Sequence, residues 1–467
     1  MYDPGIAPID PAIESALEAS ADARRDALLE LARIPSISAL PAHARDMQSA
    51  AEWIAGRLLL SGATDVAVAP TALHPIVYGR IHEAPGAPTV LVYCHYDVQP
   101  VDPIELWHAA PFEPIVRDGR FYGRGVADDK GQIVMHLSAI EAMRMARKTP
   151  PVNLTFVFEG EEEFGSTSLY AWIDANRDKL KADVAVISDT AYFQGNRPAI
   201  TVGLRGIMYA QIDVVLSPVD LHSGHYGGAV ANPANALASI IAALKGPDGR
   251  IRIPGFYDDV IPLTAAERAA MAALPFDEDE LRTSIPVTAL VGEAGWTTYE
   301  RKTARPTLDV NGIWGGFSGD GAKTIIPAHA HAKLSTRLVA NQDPQAIYES
   351  LRDFVAEIAP PGVTVETTLI HGGNASLTPL NHPVTQAAAR AIKAVHGVDP
   401  VYVREGGSIP VTSAFDHTLG LPVVLLGFAQ PDNNAHAPNE TLLVENFEHG
   451  TRVIVRLWDE LARAAQR

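Results

Sequence analysis

The sequence has one cysteine, a deficit of basic residues and no long apolar run. Because Cys94 is the only cysteine among 467 residues, no intramolecular disulfide can form, which is typical of a reducing compartment. Lys and Arg number 37 against 55 Asp and Glu, so the formal net charge is -18. This charge repels nucleic acid and anionic membranes, and we expect neither as a partner. Because the N-terminus also lacks a secretory pattern, we expect a soluble cytoplasmic protein.

The pattern of apolar residues predicts an α/β domain with a second domain inserted into it. Near-continuous apolar runs at 88–94, 152–158, 184–188 and 421–427 are typical of strands in a largely parallel sheet. Helical periodicity between them predicts flanking helices. After residue 206 the pattern changes to that of an α+β domain. The length favours two domains, and we expect them to comprise 1–206 with 374–467, and 207–373.

Each of the four apolar runs is followed by residues that can bind a metal. These are His95 with Asp97, the acidic run 159–163, Asp189, and a loop that reaches His436. Because ligands bind at the carboxyl ends of parallel strands, we expect these side chains to meet. Asp97 lies two residues after His95 on extended backbone, where it could accept the other ring N–H of that histidine.

Two acidic positions have alternative interpretations. Asp128 precedes a predicted helix in GRGVADDKG, so it could cap that helix or bridge two metals, and Asp129 beside it offers the same choice. In EGEEEFGS (159–166) the glutamates could form a solvated loop. Adjacent carboxylates at a strand end repel one another unless a cation lies nearby, which favours a metal site. Spacing alone does not say which glutamate has which role.

Ten motifs follow one another along nearly the whole sequence. In chain order they are CHYDVQP (94–100), WHAAPFEP (107–114), DGRFYGRGVADDKG (118–131), EGEEEFGS (159–166), ISD (187–189), GLRG (203–206), DLHSGHYGG (220–228), GAKTIIP (321–327), REGGSIPVT (404–412) and HAPNE (436–440). With these motifs the chain resembles the dinuclear zinc exopeptidases, the family of carnosinase, cytosolic non-specific dipeptidase, aminoacylase and acetylornithine deacetylase. GLRG, DLHSGHYGG and REGGSIPVT together are closest to the dipeptidase branch.

The resemblance implies a role for each metal-site residue. Glu162 is implied as the general base, with Asp97 orienting a ligand. The implied cofactors are two divalent ions, zinc above all, with manganese or cobalt as alternatives. Their implied ligands are His95 and Asp189 for one ion, Glu163 and His436 for the other, and Asp128 between them.

The resemblance also implies a role for the inserted domain as a lid and dimerisation domain. His222 would enter the active site of a second subunit, so the implied partner is another copy of the chain in a homodimer. Arg337 would bind the terminal carboxylate of a small peptide, since a guanidinium forms a two-pronged contact with it. The implied substrate contacts are Thr324, Arg337, His371, Glu405 and Ser408.

These residues predict a metal-dependent dipeptidase. A metal-bridging hydroxide would attack the peptide bond, with Glu162 as its base and His222 stabilising the oxyanion. An N-acyl amino acid deacylase would use the same metals and base. A non-catalytic binding protein that retains the fold is the third hypothesis, and the presence of Glu162 argues against it.

Overall fold

The computed structural model describes residues 8–285, 287–407 and 409–465, and the chain divides into two compact units. Unit 1 comprises Met1–Val202, Thr378–Val403 and Pro410–Arg467, and unit 2 comprises Gly203–Leu377 with Arg404–Ile409. The segment 404–409, which we had expected in the catalytic domain, belongs to unit 2. There Arg205 Nε donates to the carbonyl oxygen of Gly406 at 3.0 Å. The role of unit 2 as a lid and dimerisation domain stays a prediction.

The first part of the chain supplies most of the elements of unit 1. They are α1 (Pro11–Ala19), α2 (Ala21–Ala32), α3 (Ala44–Leu60), β1 (Thr64–Ala69), β2 (Ile76–Ile81), β3 (Thr89–His95), β4 (Ile115–Arg117), β5 (Arg120–Tyr122), α4 (Lys130–Met145), β6 (Asn153–Glu159), α5 (Thr167–Ala175), β7 (Val184–Ile187) and β8 (Ala199–Leu204).

The following elements belong to unit 2, and the chain then returns to unit 1. Unit 2 contains β9 (Gly206–Val215), β10 (Leu221–His222), α6 (Ser223–Tyr226), α7 (Pro233–Leu244), α8 (Ala265–Ala272), α9 (Glu278–Ser284), α10 (Thr298–Thr303), β11 (Thr307–Gly315), β12 (Ile325–Ile326), β13 (His329–Leu338), α11 (Pro344–Ile358), β14 (Thr364–Gly373) and β15 (Ser376–Leu377). The remaining elements are α12 (Pro383–His396), β16 (Val401–Glu405, whose last two residues belong to unit 2), α13 (Pro410–Ser413), β17 (Val423–Leu425), β18 (Thr441–Leu443) and α14 (Val444–Ala464).

The main sheet of unit 1 has the strand order β1-β2-β6-β3-β7-β17-β8. Its four central strands, β6, β3, β7 and β17, run parallel. The outer strands β1, β2 and β8 pair antiparallel with their neighbours. The predicted α/β fold with a largely parallel sheet and helices is therefore confirmed, and the carboxyl ends of the central strands lie along one edge.

Apolar side chains from the sheet and its helices form one core in unit 1. Helix α4 is buried almost along its whole length, and it packs against α14, α1 and α2. Helices α1 and α2 are separated at Ser20, whose hydroxyl donates to the Ala16 carbonyl at 2.7 Å and so competes with the helical pattern. None of the helices in the described ranges has the length and hydropathy that a bilayer-spanning segment needs.

Unit 2 is built on a four-stranded antiparallel sheet in the order β11-β13-β9-β14. Burial alternates along β9, where Met208, Ala210, Ile212 and Val214 are buried. These residues share a core with apolar residues of α7 and α11, such as Ile240 and Leu351. A second, two-stranded sheet pairs β10 with β12.

Candidate metal centre

The carboxyl ends of the parallel strands bring the predicted metal ligands of unit 1 together. His95 is the last residue of β3, Asp189 follows β7 by two residues, and a short turn after β6 carries Glu162 and Glu163. His436 lies in the loop between β17 and β18. Two groups of possible ligand atoms form at this edge, and within each group the atoms lie within 4.8 Å of one another. The groups are His95, Glu162 and Asp189, and Asp128, Glu163 and His436.

Asp128 connects the two groups. Its Oδ1 lies 3.0 Å from His95 Nε2, and its Oδ2 lies 3.1 Å from His436 Nε2. His436 Nε2 is also 3.0 Å from Glu163 Oε2, and His95 Nε2 is 3.8 Å from Asp189 Oδ1. One carboxylate thus presents a separate oxygen to each histidine, which is the arrangement that a carboxylate bridging two metals needs.

The separations between these donor atoms fit divalent metals. Around a tetrahedral ion with nitrogen and oxygen ligands at 2.0–2.1 Å, neighbouring ligand atoms lie about 3.3 Å apart. The four nitrogen-to-oxygen distances above, from 3.0 to 3.8 Å, spread around that value. Imidazole nitrogen and carboxylate oxygen are ligands that suit zinc and manganese alike. The donor set could therefore hold two such ions.

Asp97 contacts both His95 and the turn that carries Glu162 and Glu163. Its Oδ1 lies 3.2 Å from His95 Nδ1, which leaves Nε2 facing Asp128. The backbone N–H groups of Glu162 and Glu163 donate to its two carboxylate oxygens at 3.3 and 3.1 Å. Ser38 Oγ donates to Oδ2 at 2.7 Å. The side chain is fully buried, so these contacts satisfy it and fix the orientation of the His95 ring.

Burial and proximity shift the pKa values of the cluster. Burial would lower the pKa of His95, but hydrogen bonds to Asp128, Asp189 and Asp97 outweigh it and raise that pKa. Hydrogen bonds to Asp128 and Glu163 raise the pKa of His436 to about 10. Burial raises the pKa of Asp189 to about 6, and burial with the nearby charge of Asp189 raises the pKa of Glu162. Such shifts are common at functional sites because these groups are desolvated and close together.

Four residues predicted to contact the substrate form two groups within unit 2, namely His222 with Thr324 and His371 with Arg337. His222 ends β10 opposite Ile325, and the Ser223 N–H beside it donates to the Thr324 carbonyl at 3.1 Å. In the larger sheet the His371 ring stacks on Tyr209, with ring centroids 5.4 Å apart. Arg337 lies diagonally next to Tyr209 on the same face, since Ser335 pairs with Tyr209 and Arg337 with Ile207.

Glu405 ends β16 and is partly buried, whereas Ser408 lies outside the described residues. Near Arg337, a second guanidinium adds positive charge to the same unit. Burial and the charge of Arg337 lower the pKa of Arg205 to about 10. Two neighbouring guanidinium groups favour an anion such as a carboxylate.

Three further residues support the centre, and of these the sequence singled out only Asp129. Gln99 Nε2 donates to Glu163 Oε2 at 2.8 Å and orients that carboxylate. Asp129, the neighbour of Asp128, is buried, and its Oδ2 accepts the His95 backbone N–H at 3.2 Å. Glu440 binds the backbone of the loop that carries Asp128. Gln99 and Glu440 lie in motifs quoted above, but a contact between distant loops leaves no periodic signal in a sequence.

Curated relatives of similar length match most of the chain. The Cys-Gly metallodipeptidase dug1 of Schizosaccharomyces pombe is 37% identical over 397 residues, covering 84% of this chain and 83% of that protein. The Beta-Ala-His dipeptidase of Homo sapiens is 31% identical over 397 residues, covering 83% and 78%. These matches confirm the predicted resemblance to the dipeptidase branch and the prediction of a metallopeptidase.

A solved structure and a family model agree with these relatives. The M20 family metallo-carboxypeptidase Sso-CP2 from Sulfolobus solfataricus aligns with a TM-score of 0.83 at 32% identity, covering 94% of this chain and 99% of that chain. Residues 91–460 match the model of Peptidase family M20/M25/M40. The matched region includes every predicted metal ligand. The chain therefore belongs to Peptidase family M20/M25/M40.

Proposed function

We propose that the chain is a dinuclear metal exopeptidase that hydrolyses dipeptides. The observation that carries this proposal is Asp128, whose two oxygens face His95 and His436 at 3.0 and 3.1 Å. With Asp189 and Glu163, these residues would hold two divalent ions, zinc first and manganese or cobalt as alternatives. When bound, the ions would acidify a water and polarise the peptide carbonyl.

Glu162 is the residue we assign to proton transfer. It belongs to the group of His95 and Asp189, and burial with the charge of Asp189 raises the pKa of its carboxyl group. A carboxylate with a raised pKa is a stronger base and later a usable acid. Glu162 would take a proton from the attacking water and deliver it to the nitrogen of the leaving amine.

Unit 2 would supply the substrate contacts. Arg337 beside Arg205 would bind the free carboxylate of the peptide, and His222 with Thr324 would contact the carbonyl oxygen. We also propose a homodimer in which His222 serves the site of the other copy. Support comes from β11, an edge strand of its sheet whose Val310, Ile313 and Trp314 are exposed, since such an edge favours association. The unpaired Cys94 supports a reducing, cytoplasmic compartment.

Metal removal and reconstitution test the proposal. Protein stripped with a chelator should be inactive, and Zn²⁺, Mn²⁺ or Co²⁺ should restore hydrolysis of free dipeptides such as Ala-Ala, Cys-Gly and β-Ala-His. N-acetyl amino acids and C-terminally amidated dipeptides are the matched substrates. Faster hydrolysis of the N-acetyl compounds would favour a deacylase. Two bound metals with no hydrolysis of either class would favour a binding protein that retains the fold.

A further inference from the structure

We propose that Glu440 is a positioning residue that fixes the bridging carboxylate Asp128 and thereby sets the affinity of the metal centre. This inference rests on the proposed metal function of Asp128. Glu440 begins the segment that continues into β18, and its side chain is fully buried. It is four residues beyond His436 in the sequence, so one short loop carries a ligand of one metal and the support of the bridge.

Four donors satisfy the two carboxylate oxygens of Glu440. The N–H groups of Ala127 and Asp128 donate to Oε1 at 2.9 and 3.1 Å. The Gly125 N–H donates to Oε2 at 2.8 Å, and Arg124 Nη1 donates to the same oxygen at 2.9 Å. Three of these donors are backbone groups of the loop before α4, which would otherwise be buried without partners. Glu440 therefore fixes the backbone that carries the Asp128 side chain.

Arg124 extends this support to a third loop. Its side chain is buried, and its Nη2 donates to the Pro100 carbonyl at 3.1 Å. Pro100 follows Gln99, whose amide orients Glu163 at 2.8 Å. The pair of Arg124 and Glu440 thus connects the segments that carry the bridge, the Glu163 contact and His436. The Gly123 N–H donates to the Glu440 carbonyl at 3.1 Å, which adds a backbone contact between the same two loops.

The positive charge of Arg124 makes it possible to tell whether Glu440 acts by positioning the loop of Asp128 or by attracting the metal ions with its negative charge. If Glu440 acted only as a negative charge near the cations, removing Arg124 would tighten metal binding, because it removes a repelling charge. If the pair holds the loops in place, removing either partner weakens metal binding. Arg124→Met keeps the packing of the stem and removes only the guanidinium, so the sign of its effect separates the two explanations.

Glu440→Gln is the first test, because the amide keeps the size of the side chain but turns an NH₂ group toward backbone donors. Zn²⁺ affinity and stoichiometry are measured by competition with a chromogenic chelator, and the melting temperature is measured on the metal-free protein. We expect Zn²⁺ affinity to fall about 10–100-fold, as for other residues that orient ligands. Arg124→Met should lower the affinity in the same direction, and it carries the test alone should Glu440→Gln fail to fold.

Glu460→Gln is the matched control. Glu460 on α14 is as buried as Glu440, and it pairs with Arg456 at 2.8 Å and Arg390 at 2.6 Å. The Glu460→Gln substitution should lower the melting temperature and leave Zn²⁺ affinity within about twofold of wild type. Equal losses of Zn²⁺ affinity in Glu440→Gln and Glu460→Gln, or tighter binding in Arg124→Met, would overturn the proposal. Wild-type protein that binds fewer than two ions would instead overturn the proposed metal centre itself.

Discussion

The backbone N–H of Glu162 donates to Asp97 Oδ1 at 3.3 Å. The next N–H in the chain, that of Glu163, donates to the other oxygen of the same carboxylate at 3.1 Å. Asp97 therefore fixes the backbone of two consecutive glutamates whose side chains join different groups. Glu162 lies with His95 and Asp189, and Glu163 lies with Asp128 and His436. This divergence is what allows neighbouring residues to have different roles.

The two glutamates should respond differently to the same substitution. We expect Glu162→Gln to lower kcat by about 10²–10⁴-fold, the usual contribution of a general base, while two metals remain bound. Glu163→Gln should reduce the metal content from two ions to one. Steady-state kinetics and elemental analysis of both variants make the comparison. Loss of a metal from Glu162→Gln with full occupancy in Glu163→Gln would reverse the two assignments.

His222→Ala should lower kcat about 10²–10³-fold if the imidazole stabilises the developing oxyanion. Mixing it with Glu162→Ala tests whether the site is shared. After random exchange, half of the dimers contain one subunit of each variant. In each of these dimers one of the two sites has both an intact Glu162 and an intact His222, so about a quarter of wild-type activity should return. Activity is followed against time after mixing the two inactive variants, with each variant alone as control. No recovery after verified subunit exchange would place His222 in the site of its own chain.

Arg337→Lys should raise KM for peptides with a free carboxylate. Lysine keeps the positive charge but cannot form the two-pronged contact, so one charge-assisted hydrogen bond is lost. A loss of about 1.5 kcal/mol corresponds to roughly a tenfold rise in KM. Dipeptides with an amidated C-terminus provide the control, since they lack the group that Arg337 would bind. An equal rise in KM for free and amidated peptides would show that Arg337 acts elsewhere.

His136 should make the stability of the metal-free protein depend on pH. Burial lowers its pKa from 6.5 to about 3, and its Nε2 lies 2.9 Å from Ser188 Oγ. The unfolded chain takes up a proton at His136 near pH 6.5 and the folded chain does not. The contribution of His136 to the free energy of unfolding is therefore fully present above pH 6.5. It is lost as the pH falls toward 3, at about 1.4 kcal/mol per pH unit.

Urea unfolding between pH 7 and pH 4 measures this effect as a difference between proteins. His136→Gln should flatten the dependence of unfolding free energy on pH relative to wild type. The same substitution at the exposed His417 is the control and should leave the dependence unchanged. Parallel curves for wild type and His136→Gln would contradict the prediction.

The sequence predicted the parts of the structure that depend on local pattern. The runs at 88–94 and 152–158 became β3 and β6, because buried parallel strands need continuous apolar side chains. The meeting of the candidate ligand side chains after those strands could be anticipated, since parallel strands end at one edge. The run at 421–427 shortened to β17, Val423–Leu425, and the Leu421 N–H before this strand donates to the Phe415 carbonyl at 3.0 Å instead of to the sheet.

Contacts between loops far apart in sequence could not be predicted in this way. Glu440 reaches the backbone of Asp128 across 312 residues, and Gln99 reaches Glu163 across 64. Neither contact depends on periodicity, so only the folded chain reveals it. The same is true of segment 404–409, which belongs to unit 2 through contacts such as that of Arg205 with Gly406.

The burial of Cys94 allows a spectroscopic probe to be attached to an added cysteine while the native cysteine is kept. Burial raises the pKa of this thiol, so it reacts slowly with maleimides, and the sequence has no other cysteine. A cysteine introduced at the exposed Ser49 of unit 1 or Ser239 of unit 2 would be labelled selectively without altering the wild-type background. Each single-cysteine variant would therefore carry one dye at a known position, in unit 1 or in unit 2.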